Sequence, residues 1–85
     1  MPVFAISYDL IKRKDYPELW AELERIGAQR YLLSQWAVRR AEGVTAASLR
    51  DHLNDFVDGD DRLFVARIDN VDWASWNALV DINQI

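Results

Sequence analysis

Residues Val3 to Tyr8 (VFAISY) form an almost unbroken apolar run with β-branched and aromatic members, bounded by Pro2 and Asp9. A run of this kind suits a strand buried in the middle of a sheet. Alternation gives the strand two unlike faces. Phe4, Ile6, Tyr8 and Leu10 share one side, bulky enough to pack against helices; Val3, Ala5, Ser7 and Asp9 share the other, which is smaller and more polar. With 85 residues the chain has room for one small domain, spanning 1–85, and a domain of this size is marginal alone. It contains no cysteine, so neither disulfides nor thiolate–metal sites add stability. Ten aromatic residues, four of them Trp, argue against disorder and point to dense packing or self-association.

The remaining elements follow from spacing and punctuation. Asp15 is a favoured N-cap with Glu18 three residues on and Pro17 in the first turn. Tyr16, Leu19, Leu23 and Ile26 then make an apolar helical stripe with Trp20 beside it, and Gly27 is placed to end the helix. Residues Ala28 to Arg40 read as extended but are long for one strand. They split near Leu33–Ser34–Gln35, as a tight hairpin or as a bulged, bent strand. After the Glu42–Gly43 turn, Thr45 caps a second helix with Ala46, Leu49, Leu53 and Phe56 on one stripe, stopped by Asp58–Gly59. Arg62 to Ile68 (RLFVARI) reads as another strand. The ending is ambiguous: Trp73, Trp76 and Val80 fit a helix, whereas Val71, Trp73 and Ser75 fit a short strand.

Helices lying between strands predict an α+β fold. The arrangement expected is a ferredoxin-like split β-α-β sandwich, an antiparallel sheet with two helices on one face. Its second face would then be open at Val3, Ala5 and Ser7, and a homodimer meeting on that face is the natural cover. The N-terminal stretch lacks a charged leader region, and no apolar run approaches the length of a membrane span. A cytoplasmic protein without membrane contact is therefore expected.

Charge and isolated polar residues limit the chemistry. The net charge is −4. Residues 1–50 carry eight Lys/Arg against six Asp/Glu, and residues 51–85 carry two Arg against eight Asp. The long-range field repels polyanions, so DNA or RNA would have to meet a local basic surface. Lys12, Arg13 and Lys14 form one such cluster, and Arg39 with Arg40, near Arg30, forms another. Asp9, at the end of a buried strand, is the candidate metal ligand or general base. Two copies brought together in a dimer would raise one carboxyl pKa or recruit Mg²⁺, while the basic loop holds a phosphodiester. The plainer alternative is that Asp9 caps its loop and the basic residues are solvated. The Asp58–Gly59–Asp60–Asp61 stretch lacks the spacing of a calcium loop and reads as a helix stop and turn. His52 reads as a surface residue. Neither a nucleophilic triad nor a Gly-rich phosphate loop is present.

The opening VFAISYDL, the helix ending at Gly27, the Ser34–Gln35–Trp36 stretch and the late DRLFVARI followed by WASW together resemble a known family. It is the small CRISPR-associated subunit that partners the spacer integrase, with its endoribonuclease-like and stand-alone branches and the related virulence-associated protein D. The resemblance implies a ferredoxin-like homodimer with paired sheets. It also implies either a weak Mg²⁺-dependent nuclease whose key carboxylate matches Asp9, or a non-catalytic dimeric scaffold that holds nucleic acid or a partner protein. The acidic second half and the lack of a recognisable C-terminal crossing strand depart from the family pattern.

Overall fold

The computed structural model describes residues 1–10 and 17–85. Its elements are β1 (Val3–Asp9), α1 (Pro17–Arg25), β2 (Gln29–Leu32), β3 (Gln35–Arg39), α2 (Ala46–Asn54), β4 (Arg62–Arg67) and a short 3-10 turn, Ile82–Gln84. The four strands form one antiparallel sheet in the order β2-β3-β1-β4, so the chain is α+β with an open sheet and two helices. The apolar run lies where its composition places it, with neighbours on both edges. Phe4 is opposite Val38 and Arg67, and Ile6 is opposite Trp36 and Val65.

The bulky face of β1 is the core. Phe4, Ile6 and Tyr8 pack with Trp36 and Val38 of β3, Leu19 and Leu23 of α1, and Leu49 and Leu53 of α2. Six of these, Phe4, Ile6, Leu19, Leu23, Val38 and Leu53, have no solvent exposure. Each such side chain contributes roughly 1.5–3 kcal/mol of burial free energy. Both helices therefore sit on one side of the sheet.

Local signals set the element ends. Gly27 has φ +85°. The Gly27 N–H donates to the Glu24 carbonyl at 3.0 Å and the Ala28 N–H to that of Leu23 at 2.9 Å. This is the paired closure of a Schellman motif, which needs a left-handed residue at that position. The proposed cap of α1, Asp15, lies outside the described residues, as does Tyr16. Thr45 caps α2 through a reciprocal box with Ser48, both bonds at 3.0 Å.

The long extended stretch is two strands joined by Leu33 and Ser34, with neither residue at positive φ. Two-residue hairpins usually need a left-handed turn residue to match strand twist. Here a register shift between Arg30 and Leu32 accommodates the mismatch on the strand before the turn.

Residues 71–80 are neither helix nor strand, which corrects both alternatives for the ending. Asn70 at φ 65° and Asn77 at φ 51° interrupt the backbone on either side of the two tryptophans. The segment instead lies over the second sheet face. There Tyr31, Ala37 and Ile82 are buried, with Ile68, Trp73, Ala78, Val80 and Ile85 packed around them. It is fastened at several points. The Leu79 N–H donates to the Tyr31 carbonyl at 2.9 Å, and the Arg39 guanidinium donates to the Ile85 carbonyl. Asp69 accepts the Val3 N–H at 2.9 Å and a two-pronged pair of bonds from Arg67, each 2.8 Å. The Arg67 guanidinium, and then the Val3 N–H, hold the Asp69 carboxyl well below the usual range.

Candidate functional site: the uncovered half of the sheet

The C-terminal segment covers the β2–β3 side of the second face and reaches β1 at Val3 and Ala5, leaving Ser7 and the β4 side open. Val3 is only 7% exposed within the single chain, whereas Ala5 and Ser7 remain half-buried. Opposite them across the β1–β4 ladder stand Ala66 and Phe64. Phe64 is 64% exposed. Strand alternation explains this: Leu63 and Val65 turn to the helices and join the core, so Phe64 and Ala66 must point the other way. The same parity in RLFVARI was available in the sequence.

Asp9 ends β1 and is exposed. Its register partner is Arg62, whose Nη1 lies 3.9 Å from Asp9 Oδ2. Both side chains are largely solvated, so this pair contributes at most about 1 kcal/mol. Asp9 therefore faces a guanidinium. Among the described residues, the carboxylate cluster with metal-like spacing is elsewhere, at Asp58, Asp60 and Asp61 in the turn before β4. That turn is closed within itself: the Asp58 N–H donates to the Asp61 carboxylate at Oδ2, 2.9 Å, and the Asp61 N–H to the Asp58 carbonyl at 3.1 Å.

The basic residues are divided among other tasks. Lys12, Arg13 and Lys14 lie outside the described residues. Arg39 binds the Ile85 carbonyl and, at 3.4 Å, that of Met1. Arg40 donates to the Ile26 carbonyl at 3.2 Å, at the end of α1. The Arg30 guanidinium lies 4.8 Å from the Trp36 ring centre and 5.2 Å from that of Trp20. Both indole N–H groups donate to the Tyr8 hydroxyl, at 3.1 Å from Trp20 and 3.0 Å from Trp36. Arg39 and Arg40 thus hold main-chain carbonyls, and Arg30 belongs to an aromatic cluster.

Two polar features escaped sequence reasoning. Glu22 is buried on α1 and binds Arg25 through both carboxylate oxygens, with His52 of α2 on Oε2. Its spacing, three after Leu19 and four before Ile26, puts it at the edge of the apolar stripe of α1, and that was the available signal. The second feature is a cleft between the sheet and the C-terminal segment, lined by Ala5, Tyr31, Gln35, Trp73, Trp76 and Ile82 among others. Burial pushes the Tyr31 phenol pKa up, which keeps its hydroxyl protonated.

No protein-family model matches the chain, and no solved structure matches it. Among the described residues, no helix is long and apolar enough to cross a membrane.

Proposed function

We propose that the protein is a non-catalytic interaction module on a ferredoxin-like frame, whose two copies meet across the uncovered half of the sheet. The order β2-β3-β1-β4, with both helices on the opposite face, supports the ferredoxin-like reading. The observation that carries the dimer is self-complementarity. One patch holds both a projecting ring, Phe64, and a shallow surface of small side chains, Ser7 and Ala66, with Ala5 at its border with the C-terminal segment. A two-fold axis through such a patch sets each ring against the other copy's small residues. At the end of the patch, Asp9 and Arg62 give it equal and opposite charges, which a two-fold axis pairs between copies. Homodimerisation also agrees with the family that the sequence resembles.

In this reading Asp9 is a charge partner at the rim, and a phosphodiester or Mg²⁺ has no place in its task. Sedimentation equilibrium tests the dimer: the wild type should associate in the micromolar range and Phe64→Glu should be a folded monomer. A wild type that stays monomeric into the millimolar range overturns the reading. Mg²⁺-dependent cleavage of RNA or DNA that Asp9→Asn abolishes would overturn its non-catalytic part.

A further inference from the structure

The two edges of the sheet are not alike. β2, at one edge, is four residues long, carries a register shift, and has its Tyr31 carbonyl occupied by the Leu79 N–H at 2.9 Å. Short length, irregularity and a covering segment are ways in which proteins guard an exposed strand. β4, at the other edge, has none of the three. Its six residues pair with β1 in unbroken register, and they include neither Pro nor Gly.

The β1–β4 ladder fixes which main-chain groups of β4 point outward. The Ile68 N–H donates to the Val3 carbonyl at 2.8 Å, and bonding alternates along an antiparallel ladder. Phe64 and Ala66 therefore direct their N–H and C=O groups to β1, and Leu63, Val65 and Arg67 direct theirs away from the sheet. Among the described residues no main-chain group meets them there. Burial agrees with this. β4 is the one described strand without a buried residue, and Leu63 and Val65 stay half-buried although they pack on the core.

We propose that β4 pairs antiparallel with β4 of a second copy, about a two-fold axis at Val65, joining two sheets into one. The strand's own sequence selects this occupant and this register. Only the register centred on Val65 pairs all three outward residues with one another: Val65 meets Val65, and Leu63 meets Arg67 in both directions, each pair exchanging two main-chain bonds. On the open face it sets Phe64 opposite the other copy's Ala66, a ring beside a methyl group, and Arg62 opposite Ile68. No like charges within the paired strands stand directly opposite. The contact runs along the edge and is separate from the one across the uncovered sheet face. Phe64 borders both, and Phe64→Glu, which places two carboxylates diagonally across the axis, weakens both.

Amide hydrogen exchange on the full chain across a concentration series tests the edge. Exchange at Leu63, Val65 and Arg67 should slow about tenfold once roughly nine-tenths of the chains are paired, while Phe64 and Ala66, already bonded to β1, change less. N-methylation of the Val65 amide, installed by chemical synthesis of the chain, removes an N–H that the single copy does not use and keeps every side chain. It should abolish the slowing at Leu63 and Arg67, with near-UV circular dichroism unchanged. A methylated chain that still associates upholds both contacts; a monomeric one upholds the edge and overturns the face. Association of the wild type with unchanged exchange at the three amides, or slowing that survives methylation, overturns the edge and leaves the face standing. A wild type that stays monomeric into the millimolar range overturns both.

Discussion

His52 Nε2 on α2 stands 2.5 Å from Oε2 of Glu22 on α1, and Glu22 is almost fully buried. An ionised carboxylate can only accept, so the imidazole donates from Nε2 and the two helices share this proton bridge. Bonds from Arg25 and then His52 lower the Glu22 pKa from 4.5 to about 2, against the opposing effect of burial.

The bridge makes stability acid-sensitive. The Glu22 pKa is depressed in the folded state, so its contribution is complete above the unfolded value of 4.5 and is lost as pH falls through about 2. Thermal unfolding followed from pH 6 to pH 2 should show Tm falling in the wild type. The fall should be shallower in Glu22→Gln, which carries no titrating carboxyl there. Parallel curves for the two proteins would show that the bridge contributes nothing.

Tyr8→Phe removes the oxygen that both Trp20 and Trp36 use. Trp36 is 4% exposed, so its indole N–H is left buried without an acceptor, at a cost of about 1–3 kcal/mol. Urea denaturation should register the loss, and near-UV circular dichroism should change because two indoles lose their common anchor.

Gly27 and Gly59 should respond oppositely to alanine. Neither meets a heavy atom within 4 Å of an added Cβ, so packing does not distinguish them. Gly27 sits at φ +85°, and alanine there costs about 1 kcal/mol in backbone strain. Gly59 has no such restriction, and Gly59→Ala should be neutral or stabilise by up to about 1 kcal/mol through the unfolded chain. Paired denaturation curves check the contrast.

Ile82 anchors the cover on Tyr31 and Ala37 and is 7% exposed. Ile82→Ala should cost roughly 2–4 kcal/mol if the segment unfolds with the sheet. Hydrogen exchange at the Leu79 amide, which bonds to the Tyr31 carbonyl, should then accelerate by the same factor as exchange at the Ile6 amide in the central strand, and a larger factor at Leu79 alone would show that the segment opens separately.

Much of this architecture is legible in short-range patterns. The VFAISY run, the Gly27 stop and the Thr45 cap are each decided by two to six neighbouring residues, and the structure follows them. The C-terminal segment was not legible, because its shape depends on Tyr31, Ala37 and Arg39, more than thirty residues away. Asp9 is at the strand end that alternation gives it, but the identity of its neighbour, Arg62, depends on a β1–β4 register that no local pattern encodes. The same holds for the pairing of Glu22 with His52, which forms only when two helices are laid side by side.

The central position of β1 has a consequence for biosynthesis. Its partner on one edge is β3, but the other edge is closed only when Arg62 to Arg67 have been made. A nascent chain therefore carries its most apolar strand with one edge bare for most of translation. An exposed strand edge is a template for wrong pairing. Nascent chains arrested before Arg62 should consequently self-associate more than chains arrested after β4 is complete, with β4 as the element whose late arrival sets the length of that risk.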